Sequence, residues 1–217
     1  GNPIMGALSD SAIRDEKGNM ENYKYYNDNN FVSSYRVSKF VVDWMRERGD
    51  MRLPKLAEMM IKLDGKNADP TDLANYKGVI PNPGATGDNN NTDMEDGSQS
   101  RLKSKWYLEP VGPSAMNIGY PEQEFILAEA ALRGWTEDDP ETHYLNGIRA
   151  AHEFLGVSSA DTRAYLGHEK VQFKGSDTEK LGKIITEKYL NFFMQGGNEA
   201  YFELRRTGYP DFSAYLT

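Results

Sequence analysis

The chain has 217 residues, of which 38% are hydrophobic and 12% aromatic, a content typical of a folded protein with a substantial core. Its formal net charge of -8 argues against nucleic acid and anionic lipid as partners, because both are bound through clustered Lys and Arg. The sequence has no cysteine, which excludes disulfides, thiolate metal sites and a cysteine nucleophile. No run approaches the roughly 20 apolar residues of a membrane-spanning helix.

Residues 1–110 are predicted to be loop-rich, with one helix near residues 38–48. Gly49 can end this helix, whose apolar side chains recur at intervals of three and four: Phe40, Val41, Trp44 and Met45. The stretch 64–104 is dense in Asn, Asp, Gly and Pro, a composition typical of turns and exposed loops. A loop of this length inside a compact domain is commonly functional.

Residues 111–217 are predicted to be a helical segment. Pro121 suits the first turn of a helix that closes at residues 133–134, and residues 139–140 open a second helix that ends at Gly156. The pair makes a helical hairpin of about 34 residues, the size of one tetratricopeptide unit. Such units bury their apolar faces by stacking on one another. The helices of this segment carry more apolar surface than a single hairpin can cover.

Two pairs of residues with capping-box spacing begin the next helices. Ser158 with Asp161 predicts a short helix that runs to about Leu166, and Ser176 with Glu179 predicts the longest helix. The apolar side of the longest helix is predicted to lie in the core, and it carries Leu181, Ile184, Ile185, Tyr189, Phe192 and Phe193.

The C-terminal end is predicted to contain one more short helix. Glycines at residues 196–197 are expected to end the longest helix, and Asn198 is expected to cap the following helix through its side chain. That last helix should run to Arg206 and be broken by residues 208–210.

Three segments of the second half carry a family likeness: residues 120–135, 144–151 and 184–210, the last of which ends in Arg-Arg-Thr-Gly-Tyr-Pro. Together they resemble the SusD/RagB family of non-catalytic, glycan-binding lipoproteins of the Bacteroidetes outer membrane. Weaker similarity falls at residues 51–54 and 76–82. The chain as a whole, residues 1–217, resembles the C-terminal part of a single SusD-like domain, since family members are about twice this length.

The resemblance implies a mainly α fold of tetratricopeptide-like helical hairpins with extended loop-rich regions and little strand. It also implies nutrient binding at the cell surface: glycans would be bound without catalysis and delivered to a SusC-type TonB-dependent transporter in the outer membrane. No cofactor is expected, and membrane attachment is expected only through a lipid anchor outside this chain. The alternative is a helical-repeat module that docks on the transporter without recognising sugar directly.

Sugar recognition needs aromatic faces that stack on pyranose rings, with planar polar side chains beside them. Four residues in or beside the long polar loop have this chemistry and are predicted to bind glycan: Tyr76, Asn82, Trp106 and Tyr107. The alternative for Trp106 and Tyr107 is a place in the core or in a strand. A second cluster of the same chemistry lies within residues 22–35, and a packing role there is equally open.

Other candidate residues are interpreted as structural. Trp44 and Trp135 lie on or beside helix stripes and are expected in the core. Arg205 and Arg206 resemble an anion clamp, but bonds to helix carbonyls or ion pairs with Glu199 or Glu203 are favoured.

Enzyme and metal motifs fit the sequence poorly. His143, His152 and His168 lack the spacing of a zinc-binding helix, and the sequence contains no nucleophile elbow, P-loop or dinucleotide fingerprint. The acidic stretches 64–72 and 88–96 do not match a calcium loop of the EF type, although an irregular calcium site stays open. The sequence therefore predicts a binding protein that is not an enzyme.

Overall fold

The computed structural model describes residues 12–14, 35–61, 63, 68–80, 97–107 and 114–215. These ranges contain the α-helices α1 (Lys39–Glu47), α2 (Leu53–Leu56), α3 (Tyr120–Leu132), α4 (Pro140–Phe154), α5 (Ser159–Gly167), α6 (Asp177–Asn191) and α7 (Glu199–Thr207). Short 3-10 turns lie at Leu73–Asn75, Ser104–Trp106 and Ser213–Tyr215. The prediction of a mainly α fold is confirmed.

Strand is limited, in the part that the structure describes, to one antiparallel pair and a few isolated bridges. Strand β1 (Ala12–Arg14) pairs with β2 (Ala115–Ile118), and Ile13 lies opposite Met116. The helix α2 is an element that the sequence pattern did not predict, because its four residues are too few to display a period.

The chain divides into two compact units. Unit 1 comprises Gly1–Arg14 and Ala115–Phe212, and unit 2 comprises Asp15–Ser114 and Ser213–Thr217. Helices α3 to α7 belong to unit 1, whereas α1 and α2 belong to unit 2. None of the helices in the described ranges is long and apolar enough to cross a membrane.

Helices α3 and α4 form the predicted hairpin of unit 1. Pro121 lies in the first turn of α3, and Arg133 is its C-cap. Asp139 caps α4 by accepting a hydrogen bond of 2.9 Å from the backbone N–H of Thr142, which meets one of the unpaired donors of the first turn. Pro140 follows directly, at a position where a missing N–H has no cost.

The core of unit 1 lies between this hairpin and helices α5 and α6. Its buried side chains are Phe125, Ala128, Tyr144, Ile148, Tyr165, Val171, Phe173, Ile184 and Ile185. The polar groups among them are paired: the Tyr144 hydroxyl donates to the carbonyl of Val171, and the Tyr165 hydroxyl donates to the carboxylate of Glu187. Unit 1 therefore has a continuous apolar core with hydrogen-bonded polar groups inside it.

Helices α5 and α6 begin as predicted. The Ser158 hydroxyl accepts from the backbone N–H of Asp161, and Ser176 and Glu179 form a complete capping box. Glu179 accepts from the backbone N–H of Ser176 at 2.7 Å, while the Ser176 hydroxyl accepts from the N–H of Glu179.

The predicted end of α6 is wrong, because the helix stops at Asn191 and not at residues 196–197. The N–H groups of Phe192 and Phe193 donate to carbonyls three residues back, which tightens the last turn and directs the chain away from the helix axis. Phe192 is buried, whereas Phe193 and Tyr189 are only partly buried, so the predicted core stripe is correct for part of its length.

The predicted side-chain cap at Asn198 is also wrong. Asn198 occupies the N-cap position of α7, but its side chain makes no capping hydrogen bond. Its backbone has helical angles (φ -88°, ψ 0°), whereas a capping side chain needs the extended backbone that directs its oxygen at the free N–H groups.

Unit 2 is built around α1. The Ser38 hydroxyl caps this helix, and the buried side chains of its inner face are Phe40, Val41, Val42 and Met45. Three isolated bridges join the surrounding backbone: Arg36 with Arg101, Ser38 with Val79, and Ala57 with Leu102. Asp50 and Arg52 form an ion pair inside this unit, and both side chains are fully or almost fully buried.

Candidate functional site

Tyr76 is held at the start of the long polar loop. It follows the 3-10 turn Leu73–Asn75, which Asp72 caps by accepting from the N–H of Ala74. The Tyr76 hydroxyl donates to the carbonyl of Pro70 at 3.0 Å. Burial, with smaller contributions from Glu58 and Asp69, raises the pKa of Tyr76 to about 12, so the phenol stays protonated and remains a donor.

Trp106 and Tyr107 lie at the other end of the loop. Trp106 ends the 3-10 turn Ser104–Trp106, and the N–H of Tyr107 donates to the carbonyl of Ser104. Glu58 holds this turn, because its carboxylate accepts from Lys103 at 2.8 Å and from the N–H of Ser104 at 2.9 Å. Burial raises the pKa of the Glu58 carboxyl, but these hydrogen bonds outweigh it and lower that pKa overall.

The two ends of the loop are joined at its base. The N–H of Ser100 donates to the carbonyl of Lys77 at 2.8 Å, and the N–H of Lys77 donates to the Ser100 hydroxyl at 3.2 Å. Gly78 is required beside this junction, since a Cβ there would lie 2.5 Å from the Cα of Lys39. The two described ends of the loop, at Lys77 and Ser100, are therefore held together next to the start of α1.

Side-chain burial bears on the predicted glycan contacts. Tyr76 is 1% exposed, and Trp106 and Tyr107 are each 4% exposed. Aromatic rings buried to this degree have no free face for a pyranose. Trp106 and Tyr107 therefore fit the stated alternative, a place in the core, and Tyr76 is buried as well. Asn82, the fourth predicted contact, lies outside the described residues.

The described residues do not bring a metal site together. Among them, no group of three or more His, Cys, Asp or Glu side chains is close enough to hold an ion. The stretch 88–96, where an irregular calcium site was left open, lies outside those residues, and so do residues 64–67 of the other acidic stretch.

Two tryptophans that were expected in the core, Trp135 and Trp44, are less buried than predicted. Trp135 was predicted in the core, but it is 71% exposed, because it lies just beyond the end of α3 and not on its buried face. Trp44 of unit 2 is partly buried beneath the guanidinium of Arg48, which lies 3.5 Å from the ring centroid.

A cavity of about 450 Å³ lies at the C-terminal end of α6 in unit 1. Its lining includes Tyr189, Phe192, Phe193, Gln195 and Ala200. The apolar period of residues 181–193 predicts a continuous helix face. The cavity could not be predicted from it, because the helix ends at Asn191 and the chain turns away between Tyr189 and Ala200.

Arg206 is part of an ion-pair network and not an anion clamp. Its guanidinium donates two hydrogen bonds of 2.6 Å to the carboxylate of Glu129 on α3 and one of 2.7 Å to Glu203. The pair with Glu203 was one of the expected partners, whereas Glu129, 77 residues away in sequence, was missed. Arg205 donates to the hydroxyl of Tyr201 at 3.1 Å.

Removing the carboxylate of Glu129 is expected to reduce the loss of unfolding free energy that the protein suffers when the pH is lowered from neutral to acid. Burial raises the pKa of Glu129, but hydrogen bonds from Arg206 and Arg133 outweigh it and lower that pKa. The stabilisation is therefore fully present above the unfolded pKa of about 4.3 and is lost as pH falls through the lower folded pKa. At pH 7, Glu129→Gln should lower the free energy of unfolding by about 1–2 kcal/mol, a value reduced by the exposure of Arg206.

Urea denaturation of both proteins between pH 3 and 7 measures this difference. The gap between wild type and Glu129→Gln should be constant above about pH 5 and close below about pH 4. Glu137→Gln, an exposed position in the same unit, is the matched control and should show no such gap. A gap for Glu129→Gln that persists unchanged at pH 3 would contradict the role of this carboxylate.

Residues 1–216 match the family model SusD-like_2, described as starch-binding and associating with the outer membrane. A Bacteroides vulgatus ATCC 8482 outer-membrane protein, for which nutrient binding has been suggested, is 30% identical over 97% of this chain, with a TM-score of 0.89. Two SusD homologues from Bacteroides fragilis NCTC 9343 are 29% identical over 98% and 96% of it, each with a TM-score of 0.84.

The chain spans about half the length of these three structures, 49%, 48% and 47% respectively. A search of curated proteins returned no match.

Proposed function

This chain belongs to the SusD-like family, and from that membership we propose that it binds glycans at the cell surface and does not catalyse their cleavage. The observation that carries the proposal is the family match over residues 1–216, supported by a fold shared with SusD homologues. A fold alone does not imply a function, so the site must be argued separately.

The glycan surface is proposed to be the loop closed by Lys77 and Ser100. Its sequence between residues 81 and 96 is rich in asparagine and carboxylate side chains, the groups that bridge sugar hydroxyls by donating and accepting hydrogen bonds. Asn82 is proposed as a direct contact. Tyr76 and Trp106 are proposed to contribute indirectly: their buried rings stabilise the segments at which the loop starts and ends.

Delivery of the glycan to a SusC-type TonB-dependent transporter is the second part of the proposal. The protein would then lie at the outer surface of the outer membrane, attached by a lipid anchor. Membership of the SusD-like family supports this step.

Replacing Asn82 with alanine tests the glycan-binding proposal. Calorimetric titration with a panel of polysaccharides and with maltoheptaose should give saturable heat for the wild type. The affinity of Asn82→Ala should be about tenfold weaker, because a planar amide that bridges two hydroxyls is lost. The matched control is Asn198→Ala, an exposed asparagine whose side chain makes no capping bond, and its affinity should be unchanged.

A docking module without sugar recognition is the competing function, and exposed apolar side chains of unit 1 favour it. Ile126, Met194, Tyr201 and Phe202 are all more than two-fifths exposed. The rings of Tyr201 and Phe202 lie with their centroids 5.9 Å apart, and contiguous exposed apolar side chains are typical of protein interfaces. If the protein co-purifies with a SusC-type transporter and no polysaccharide gives heat in calorimetric titration, docking is favoured and glycan binding is contradicted.

A further inference from the structure

The turn that joins α3 to α4 holds an exposed tryptophan in a fixed backbone conformation. The N–H of Gly134 donates to the carbonyl of Ala131 at 3.0 Å, and the N–H of Trp135 donates to the carbonyl of Ala130 at 2.9 Å. Gly134 has a φ of 70°, the left-handed angle that this arrangement needs. These two bonds are those of a Schellman motif, which ends α3 and sets the position of Trp135.

The Schellman motif does not account for a ring as large as tryptophan. The residue in this position usually makes an apolar contact with the helix residue whose carbonyl it bonds, which here is Ala130. An alanine offers a single methyl group, and the indole remains 71% exposed. A smaller apolar residue would make the same contact and leave less apolar surface in water.

A guanidinium lies against the indole, and two carboxylates follow it closely in sequence. The guanidinium of Arg133 lies 5.5 Å from the centroid of the Trp135 ring, and its Nε donates to Glu129 at 2.8 Å, which holds it in place. A single guanidinium can cover only one of the two faces of an indole. The residues that follow, Glu137 and Asp138, are both exposed carboxylates.

The second end of the turn is also fixed. The Asp139 carboxylate accepts from the hydroxyl of Thr142 at 2.6 Å and from its N–H at 2.9 Å. These hydrogen bonds lower the pKa of Asp139, so the cap stays ionised at neutral pH. The segment from Gly134 to Asp138 is therefore anchored by a cap on each side and needs little ordering when it binds a ligand.

We propose that Trp135 and the adjacent carboxylates of Glu137 and Asp138 form a separate subsite for one neutral pyranose ring. The apolar C–H face of the sugar would stack on the free face of the indole, and the carboxylates would accept hydrogen bonds from its hydroxyls. This subsite rests on the proposed glycan binding and lies within unit 1.

Intrinsic fluorescence gives a direct test, because the three tryptophans differ in exposure. Trp106 is buried and Trp44 is partly buried under Arg48, so Trp135 should dominate any change of emission caused by a surface ligand. Titration of the protein with maltoheptaose, and separately with a chitooligosaccharide, should shift the emission to shorter wavelength as water is displaced from the indole. Trp135→Phe should abolish the shift while leaving the emission of the other two.

Affinity measured by calorimetry completes the test. Trp135→Ala should bind about tenfold more weakly, because one face of a large aromatic ring is no longer buried by the sugar. Ile126→Ala is the matched control: it removes an exposed apolar side chain of α3, nine residues before Trp135, and its affinity should equal that of the wild type.

The outcomes separate this subsite from the proposed function. If the wild type binds glycan and Trp135→Ala binds it equally tightly, the subsite is excluded while glycan binding stands. If no glycan gives heat or a shift with the wild type, both proposals are excluded. Thermal unfolding of each variant should match the wild type, since so exposed a ring contributes little to the core.

Discussion

Replacing Asp50 with alanine is expected to lower the free energy of unfolding by about 3–5 kcal/mol, because it leaves the guanidinium of Arg52 buried without its carboxylate. The side chains of Asp50 and Arg52 are 0% and 1% exposed. Arg52 donates to Asp50 from its Nε at 2.9 Å and from a terminal nitrogen at 2.6 Å, and its backbone N–H donates to the same carboxylate.

The geometry explains why this pair matters more than a surface pair. The Asp50 carboxylate follows the turn after α1 and accepts from the backbone N–H of Arg52, so it fixes the backbone as well as a charge. A buried charge that loses its partner keeps the full cost of desolvation, whereas an exposed charge is solvated by water.

A surface ion pair of the same unit provides the control. Lys39 and Asp43 form an i, i+4 pair on α1 whose side chains are both partly exposed. Asp43→Ala should cost no more than about 1 kcal/mol. Urea denaturation followed by circular dichroism compares the variants, and an equal loss for Asp50→Ala and Asp43→Ala would refute the buried-charge argument.

Truncating Phe125 to alanine is expected to cost about 3–5 kcal/mol of unfolding free energy, since it opens a cavity in the core of unit 1. The Phe125 ring is fully buried in the cluster that includes Tyr144, Ile148 and Ile184. Glu124, beside it, is also buried and is held by His143 of α4 at 2.8 Å, so the helix cannot easily rotate to fill the space.

The neighbouring residue supplies a matched control for this change. Ile126 is 48% exposed and lies on the same helix, and mutation to alanine likewise removes its apolar side chain beyond Cβ. Ile126→Ala should change the free energy of unfolding by about 0.5 kcal/mol or less. Because the α3–α4 hairpin also positions Trp135, Phe125→Ala should weaken glycan binding at temperatures near its lowered melting temperature, and Ile126→Ala should not.

The helix starts could be predicted from the sequence because they depend on residues that are close together in the chain. A capping side chain bonds an N–H two or three residues away, as Ser176 and Asp139 do, and Pro121 marks the first turn of α3 by its own backbone geometry. The family likeness of the segment 184–210 is likewise contained in consecutive residues.

The candidate site could be predicted only in part. The stretch 64–104 was identified as a polar loop from composition, but composition does not reveal which of its aromatics face inward. Tyr76 and Trp106 are buried, and the backbone close to each pairs with a segment distant in sequence, Val79 with Ser38 and Leu102 with Ala57. The sequence shows that both residues are aromatic, whereas the burial of their rings depends on long-range contacts.

The sequence by itself determined the helical class, the hairpin of α3 and α4 and most helix starts, since each is encoded by short-range spacing. It also determined the family, through the resemblance of consecutive segments. Only the tertiary structure decided the exposure of Trp135, the burial of Tyr76 and Trp106, and the pairing of Arg206 with Glu129. Burial and ion pairing depend on which distant segments come together, and the free energy of those contacts is a property of the packed chain and not of any local pattern.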